Sequence, residues 1–307
     1  MKFSVPDNAA LAARLRRPTG PVKVVLDTDT YNEIDDQYAL AYLVRSGLPI
    51  LGIHAAPFCN QHAANPKEGM EKSYQEIFKV LSLLGREDLN PLVYAGSQGY
   101  LEDEDTPRPS PAAEHLVELA RALPQGEQLY VAAIGAITNV SSALLMAPEI
   151  AEKLVVVWLG GNAHFWPDTR EFNLFQDVAA ARVLFDSGVA LVQLPCMGVV
   201  THLATTEPEL REQLKGKSPI GTYLYDITCA EAKLDKMGRC WSRVIWDVST
   251  IAWLLGGEHT MRDSLVHAPY ITYDGTYSFS NTRHLMKYVD YINRDAVFDQ
   301  LFRLLQN

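Results

Sequence analysis

The chain has 307 residues, 48% of them hydrophobic and 21% charged, which is typical of a globular protein with one large domain or two ordinary ones. Its formal net charge of −10 argues against a partner held through nucleic-acid phosphates. The sequence also has no run of about 18 apolar residues, no apolar signal-peptide core and no Cys-x-x-Cys pair. We therefore expect a reduced, cytoplasmic protein without a membrane partner.

Short apolar runs alternate with amphipathic segments along the chain. The β-branched run 22–26 predicts a buried parallel strand, and helical spacing from residue 34 predicts a helix that ends at Gly47. Further strands are predicted at 50–54, 92–95, 129–133, 154–159 and 189–194. Further helices are predicted at 68–84, 112–123, 138–146 and 177–187, with a surface loop at 100–111.

At least five alternations of strand and helix predict an α/β fold: an open, mostly parallel, Rossmann-like sheet with helices on both faces. Residues 205–245 predict helices and loops, and residues 247–255 predict a helix. The last fifty residues predict a small antiparallel hairpin and a terminal helix. The chain contains no linker and no internal repeat, so we predict a single domain over residues 1–307.

The segment 27–36 contains five carboxylates at the point where a buried strand ends and a helix begins. Open α/β sheets bind ligands at the carboxyl ends of their strands. Carboxylates this close repel one another unless a cation or strong donors neutralise them, and hard oxygen ligands suit Ca²⁺ or Mg²⁺ better than zinc. A solvated acidic turn that caps the helix is the alternative, but a cap needs one or two carboxylates. The pattern therefore favours a metal site.

At these residues the sequence resembles the inosine–uridine nucleoside hydrolases, in which an Asp-x-Asp-Pro-Gly-x-Asp-Asp segment follows the first strand. Here residues 30–33 replace the Pro-Gly turn and make the segment two residues longer. Further segments match that family in the same order, at 134–139, 160–162, 171–173, 200–202 and Asp247. The resemblance extends over roughly residues 22–255 and implies a nucleoside hydrolase-like fold.

The resemblance implies roles for individual residues. A Ca²⁺ ion would be held by three carboxylates and one backbone carbonyl, those of Asp29, Asp36, Asp247 and Ile134. Asp29 would also be the base that deprotonates the metal-bound water, and Asp27 would support the metal ligands by hydrogen bonds. The ribose hydroxyls would be bound by Asp35, Asn60, Asn162, Glu171 and Asn173.

The function implied by the resemblance is calcium-dependent hydrolysis of the N-glycosidic bond of a ribonucleoside, or of a related N-riboside, by a metal-activated water. Cleavage of this bond builds positive charge on the sugar ring, and carboxylates around the ribose would stabilise that charge. The products would be ribose and the free base, as in purine or pyrimidine salvage. The resemblance also implies a homodimer or homotetramer.

The residue before Asp247 departs from the family. Many members have a histidine there that protonates the departing base, whereas this chain has Trp246, which cannot do so. Trp246 or Trp241 could instead stack on an aromatic base, with core packing an equal alternative for Trp246. Four other residues are candidates for the leaving-group acid, namely His164, Tyr225, Lys233 and Arg239. A surface or packing role explains each of them more simply.

Residues 171–173 carry a second expectation, which concerns their geometry. In an extended segment, alternation would place Glu171 and Asn173 on one face with Phe172 on the other. This arrangement would suit two polar side chains that bind the same sugar.

Two other functions stay open. A Mg²⁺-dependent phosphatase of the haloacid dehalogenase type also carries Asp-x-Asp after its first strand, but Tyr31 stands where such an enzyme needs Thr or Val. A non-catalytic nucleoside- or sugar-binding homologue is the other alternative, with Trp246 as the mark of lost chemistry.

Overall fold

The computed structural model describes residue 3 and residues 6–257 and 259–306. The strands in this part of the chain are β1 (Val24–Thr28), β2 (Ile50–Ala55), β3 (Val93–Ala95), β4 (Leu129–Ala133), β5 (Leu154–Leu159), β6 (Ala190–Leu194), β7 (Ala204–Thr206), β8 (Ser242–Val244), β9 (Met261–His267), β10 (Tyr270–Ile271), β11 (Tyr277–Ser278) and β12 (Leu285–Ile292). The helices are α1 (Asn8–Arg14), α2 (Asp35–Ser46), α3 (Pro66–Leu83), α4 (Pro111–Ala122), α5 (Thr138–Met146), α6 (Phe172–Gln176), α7 (Val178–Asp186), α8 (Glu207–Gln213), α9 (Pro219–Leu234), α10 (Val248–Leu255) and α11 (Arg294–Leu305).

Local sequence signals explain where the first helices begin and end. Gly47 ends α2 with a φ of 76°, a left-handed conformation that glycine adopts without steric cost. Asn65 caps α3 by accepting the N–H of Glu68, and Ser110 caps α4 in the same way. A proline follows each of these two caps, where its missing N–H costs nothing.

The central sheet has eight strands in the order β3-β2-β1-β4-β5-β6-β12-β9. All neighbouring pairs are parallel except β12 and β9, which are antiparallel. Strand order reverses at β1 and β4, so the carboxyl ends of these two strands border a crevice of the kind that binds ligands in open α/β sheets. The predicted mostly parallel α/β fold is confirmed.

The C-terminal strands differ in part from the prediction. β9 and β12 do form an antiparallel pair, but β12 also lies parallel to β6, with Lys287 opposite Val192. The pair therefore extends the main sheet. The separate small hairpin of this region is β10 with β11, and β7 pairs with β8 in a second one.

Apolar side chains cover both faces of the sheet. One cluster includes Leu26 of β1, Leu43 of α2 and Phe298 of α11, all fully or almost fully buried. The other includes Val25 of β1 and Trp158 of β5, packed under α4, α5 and α7.

The prediction of one domain over residues 1–307 stays a prediction, and Met1, Lys2, Ser4, Val5, Glu258 and Asn307 lie outside the described residues. Within the described part of the chain, no helix combines the length and apolarity needed to span a membrane.

Candidate active site

The first strand delivers two aspartates to the crevice between β1 and β4. Asp27 lies in β1 and Asp29 directly after it, and both are fully buried. The chain then turns, with the N–H of Asn32 donating to the carbonyl of Asp29 at 2.7 Å, and enters α2 at Asp35. The Thr28 hydroxyl donates to Asp36 Oδ1 at 2.5 Å and so fixes the first turn of α2 to the end of the strand.

A third element closes a cluster of acids at this point. Asp247 precedes α10, and its carboxylate oxygens lie with those of Asp35 and Asp36 within 4.8 Å of one another. Asp29 belongs to the same cluster, because its carboxylate contacts that of Asp36. The structure thus brings together the predicted ligands Asp29, Asp36 and Asp247, and adds Asp35, which the resemblance assigns to the ribose.

Burial makes these acids hold their protons more tightly than free aspartates do. It raises the pKa of Asp36 to about 6, against a hydrogen bond from Thr28 that lowers it. Burial, followed by repulsion from neighbouring carboxylates, raises the pKa of Asp29 and of Asp247 well above the ordinary value. The cluster therefore needs either protons or a positive charge from outside to be stable.

The donor set fits a hard divalent cation. In the described part of the chain, no N–H or hydroxyl group donates to either oxygen of Asp29, although both oxygens are buried. The positive charge beside the cluster is that of Arg243, which acts on Asp35 and is already paired with Glu33 at 3.0 Å. Buried carboxylate oxygens without donors are the ligands that Ca²⁺ and Mg²⁺ prefer.

Asp27 occupies a neighbouring position with a different partner. Its Oδ1 accepts the side-chain N–H of Asn139 from α5 at 2.8 Å, and its Oδ2 is buried without a hydrogen bond. Burial raises the pKa of Asp27 to about 7, against the Asn139 hydrogen bond that lowers it. The predicted hydrogen bonds from Asp27 to the metal ligands are absent from the described residues, and Asp27 acts on Asp29 through its charge.

A cavity of about 250 Å³ opens in front of the acidic cluster. Its charged and amide lining comes from Asn32, Glu33, Asp35, Asn162, Arg170, Glu171, Asn173 and Asp247. Its other lining residues are Ile134, Leu159, Phe172, Cys196, Met197 and Trp246. The cavity wall combines apolar surface with converging polar groups, as the walls of small-molecule sites do.

The alternation predicted an extended conformation for the segment that carries Glu171. In the structure this segment begins a helix instead. Glu171 is the N-cap of α6, and its carboxylate accepts the N–H groups of Asn173, Leu174 and Gly161 at 2.8, 3.1 and 2.8 Å. Phe172 lines the cavity together with its two neighbours. Free N–H groups at a helix start attract a carboxylate strongly, and this local gain overrides the extended conformation.

Two amides of the cavity wall are held by backbone groups. Asn173 donates to the carbonyls of Ile134 and Leu159 at 3.1 and 3.0 Å, so it bridges the ends of β4 and β5. Asn162 donates to the carbonyl of Asp168 at 3.1 Å and accepts the N–H of Met197 at 3.3 Å. The Ile134 carbonyl, a predicted metal ligand, thus accepts a hydrogen bond from Asn173, and both residues line the cavity.

Asn60 and Trp246 differ in their relation to the cavity. Asn60 is not among the described residues that line it and donates instead to the carbonyl and side-chain oxygens of Asn32, at 3.0 and 2.7 Å. Trp246 does line the cavity, and its backbone N–H donates to Asp35 Oδ2 at 3.0 Å.

None of the four alternative acids lies among the described residues that line the cavity. His164 stacks on Tyr288 at 4.1 Å and contacts Gln193, and burial lowers its pKa to about 4. Tyr225, Lys233 and Arg239 line a separate surface depression beside α9. Their location supports the surface or packing roles that explained them more simply.

Several lining residues lie outside the residues that the sequence singled out. Asn32 and Glu33 belong to the two-residue extension of the acidic segment, and the extension itself was the available signal. Arg170 directly precedes the matched segment 171–173. Cys196 and Met197 follow β6 at the carboxyl edge of the sheet, where position alone could have marked them.

Comparison with known proteins shows the family to which the chain belongs. The family model described as inosine-uridine preferring nucleoside hydrolase matches residues 24–296. The pyrimidine-specific ribonucleoside hydrolase RihA of Citrobacter koseri is 30% identical over 216 residues, which are 61% of this chain and 67% of that protein. RihA of Klebsiella pneumoniae subsp. pneumoniae is 29% identical over 261 residues, which are 76% of this chain and 80% of that protein.

Solved structures share the fold. The plant nucleoside hydrolase PpNRh1 superposes with a TM-score of 0.73 at 19% identity, covering 94% of this chain and 99% of its own. An inosine-guanosine nucleoside hydrolase gives 0.74 at 14% identity, with the same two coverages. At these identities the likeness concerns the fold alone, and it confirms the predicted nucleoside hydrolase-like architecture.

Proposed function

The chain belongs to the inosine-uridine preferring nucleoside hydrolase family and is therefore a hydrolase of N-glycosyl compounds; on this premise we propose that it cleaves the N-glycosidic bond of a ribonucleoside in a calcium-dependent reaction. The observation that carries the proposal is the acidic cluster of Asp29, Asp35, Asp36 and Asp247, which borders a cavity lined on another side by Glu171. Such a cavity can hold a sugar between a cation site and groups that bind hydroxyls.

In the proposal, Asp29, Asp36 and Asp247 hold the cation together with the carbonyl oxygen of Ile134. The support is the buried, donor-free oxygens of Asp29 and the position of Ile134 at the cavity wall. When bound, the cation supplies the missing positive charge and makes a coordinated water more acidic. Asp35 lies close enough to contribute to the same site and to contact a ribose hydroxyl.

Asp29 takes the proton from the attacking water in this mechanism. A base must lie within hydrogen-bond reach of the proton it removes, and its proton affinity should match the working pH. Burial raises the pKa of Asp29, and its two oxygens have no competing N–H or hydroxyl donor among the described residues. Both features favour Asp29 over Asp36, whose Oδ1 accepts the Thr28 hydroxyl.

The ribose lies against Asp35, Asn162, Glu171 and Asn173. Carboxylates around the ring stabilise the positive charge that develops as the glycosidic bond lengthens. Asn60 acts one step away, because it positions Asn32 at the cavity wall. The hydrogen bonds that hold Glu171 and Asn173 keep both side chains in place before the substrate arrives, which lowers the entropic part of the barrier.

Trp246 offers a flat apolar surface for the departing base. Its indole cannot protonate that base, and none of the four alternative acids lies among the described residues that line the cavity. In the proposal the base therefore leaves without a proton from these residues, or takes it from solvent. This feature favours substrates whose base is a good leaving group.

The oligomer, a homodimer or homotetramer, and the cytoplasmic location stay predictions. Membership of the nucleoside hydrolase family argues against the phosphatase alternative. A non-catalytic binding protein stays the second candidate, since Trp246 removes the acid that many relatives are expected to have.

A reducing-sugar assay on a panel of ribonucleosides tests the proposal. Wild type with calcium should release ribose from at least one compound, and a chelator or the substitution Asp29→Asn should abolish release. Asp299→Asn, on the exposed surface of α11, is the matched control and should leave activity unchanged. If nucleosides bind in calcium and no ribose is released over long incubation, the protein is a binding homologue and the hydrolase proposal is wrong.

A further inference from the structure

We propose that the cavity selects ribosides that carry a negatively charged phosphate or carboxylate group, and that Arg170 binds this group. The inference rests on the proposed N-riboside hydrolysis and specifies its substrate class. It starts from the charge of the cavity wall. Among the described residues that line the cavity, Arg170 is the one with a permanent positive charge, opposed by Glu33, Asp35, Glu171 and Asp247.

The guanidinium of Arg170 is available for a ligand. The residue is exposed, and in the described part of the chain no carboxylate is paired with its guanidinium. Its charged end lies over the ring of Phe175, 5.6 Å from the centroid. The backbone N–H of Arg170 donates to Asp168 Oδ1 at 2.9 Å, and this hydrogen bond fixes the backbone from which the side chain extends. The guanidinium thus lines the cavity without a carboxylate partner among the described residues, where it can bind an anion.

The nearby acids do not need this charge. The carboxylate of Glu171 accepts three backbone N–H groups, two of them at the start of α6, so its charge is already stabilised. At the acidic cluster, the neighbouring cation is Arg243, paired with Glu33 and with Asp235 at 2.8 Å. Arg170 lies on the wall built by residues 162–175, and its positive charge does not compensate the carboxylates of the acidic cluster.

A neutral nucleoside would make no use of such a group. The planar guanidinium presents two parallel N–H donors that match the oxygens of phosphate or carboxylate, and charge-assisted pairs of this kind are the stronger hydrogen bonds. Arg170 lines the cavity and is exposed, so a substituent of the ligand that contacts it can extend towards solvent. That substituent can lie on the sugar, as a 5′-phosphate, or on the base, as a carboxylate.

Release of the free base is measured for uridine, inosine, their 5′-monophosphates and 5-carboxyuridine, with calcium present. Wild type, Arg170→Gln and Arg170→Lys are compared with Arg16→Gln, which removes an equally exposed charge from the segment after α1. The preferred anionic substrate should lose about tenfold to a hundredfold in kcat/KM in Arg170→Gln, with neutral nucleosides changed by less than about twofold. Arg170→Lys should keep part of the preference, and Arg16→Gln all of it. Preference for the monophosphates places the charge on the sugar, and preference for 5-carboxyuridine places it on the base.

Two results separate failure of this inference from failure of the proposed function. If neutral nucleosides are cleaved at least as well as every anionic one, and Arg170→Gln affects both alike, the inference is overturned and the hydrolase proposal stands. If no compound releases its base, the hydrolase proposal fails, and calorimetry then tests Arg170 directly by comparing ribose 5-phosphate with ribose and 5-carboxyuridine with uridine. Tighter binding of either anionic compound that is lost in Arg170→Gln supports the anion site, and equal binding within both pairs overturns it.

Discussion

Asp36 and Asp247 place carboxylate oxygens within 4.8 Å of each other, although one residue lies in the first turn of α2 near the start of the chain and the other precedes α10. Thr28 holds Asp36 from the strand side, and the backbone N–H of Trp246 holds the neighbouring Asp35 from the α10 side. Two buried like charges at this separation destabilise a fold unless something compensates them. The site is therefore built at a cost in stability that a bound cation can offset.

This cost leads to a prediction for Asp247→Asn. The variant should lose calcium binding and yet be more stable than wild type in a chelator, by about 1–2 kcal/mol, because a buried charge among like charges is removed. Thermal unfolding with chelator and with calcium measures both effects. The exposed control Asp299→Asn should follow wild type in both conditions. A variant that calcium stabilises as much as wild type would show that Asp247 is not a ligand.

A side chain at position 135 is expected to lower the affinity for the cation by steric displacement of neighbouring side chains. A Cβ at this position would lie 3.0 Å from Asp29 Cγ and 3.1 Å from Ala56 Cβ, so Gly135→Ala must displace one of these side chains. We expect calcium affinity to fall by about tenfold, equivalent to about 1.4 kcal/mol, with the overall fold retained. Calorimetric titration of calcium is the measurement. Gly20→Ala, where an added Cβ meets nothing within 4 Å, should bind calcium like wild type; an equal loss in both variants would contradict the steric explanation.

His54 gives a prediction for the pH dependence of stability. It is fully buried in β2, and its Nε2 lies 3.0 Å from His115 Nδ1 of α4. The ring of Tyr94 in β3 lies edge-on to its imidazole, with the ring centroids 5.7 Å apart, and Asp27 of β1 is its register partner. Burial, then repulsion from His115, lowers its pKa to about 3 from 6.5. Below pH 6.5 the unfolded chain therefore binds a proton that the folded chain does not, and the free energy of unfolding falls as pH falls.

The expected contribution of His54 is at most about 1.4 kcal/mol per pH unit between pH 6.5 and the folded pKa. Urea unfolding at pH 7, 6 and 5 in calcium should give a shallower pH dependence for His54→Gln than for wild type. The exposed His202→Gln should retain the wild-type slope. Parallel slopes for His54→Gln and wild type would mean that the imidazole is protonated in the fold.

Much of the parallel core could be predicted because its strands are short and mostly apolar. The predicted strand 154–159 coincides with β5, whose six residues are all buried. The place of β12 beside β6 could not be predicted, because the partner of a strand is chosen by tertiary packing and not by its own pattern.

The candidate site shows the same division. The acidic segment could be predicted because five carboxylates within residues 27–36 are more than a helix cap needs. The contact of Asn60 with Asn32 could not be predicted, since it joins two loops. The helix that Glu171 caps was not predicted either, because a short alternation of polar and apolar residues fits both an extended segment and a helix start.

Trp246→His restores the side chain that many family members carry and should supply the missing leaving-group acid. The change keeps the backbone N–H that Asp35 accepts at 3.0 Å, so the acidic cluster stays in place. General acids typically accelerate such steps by about 10²–10⁴-fold, and we expect at least about tenfold in kcat for nucleosides whose base leaves poorly. Because only the protonated imidazole can donate, this gain should disappear as the pH rises above about 6.5. Trp246→Ala, which removes the indole without adding an acid, is the matched control. If Trp246→Ala gains as much in kcat as Trp246→His, or if the gain of Trp246→His does not depend on pH, relief of packing and not proton donation is responsible.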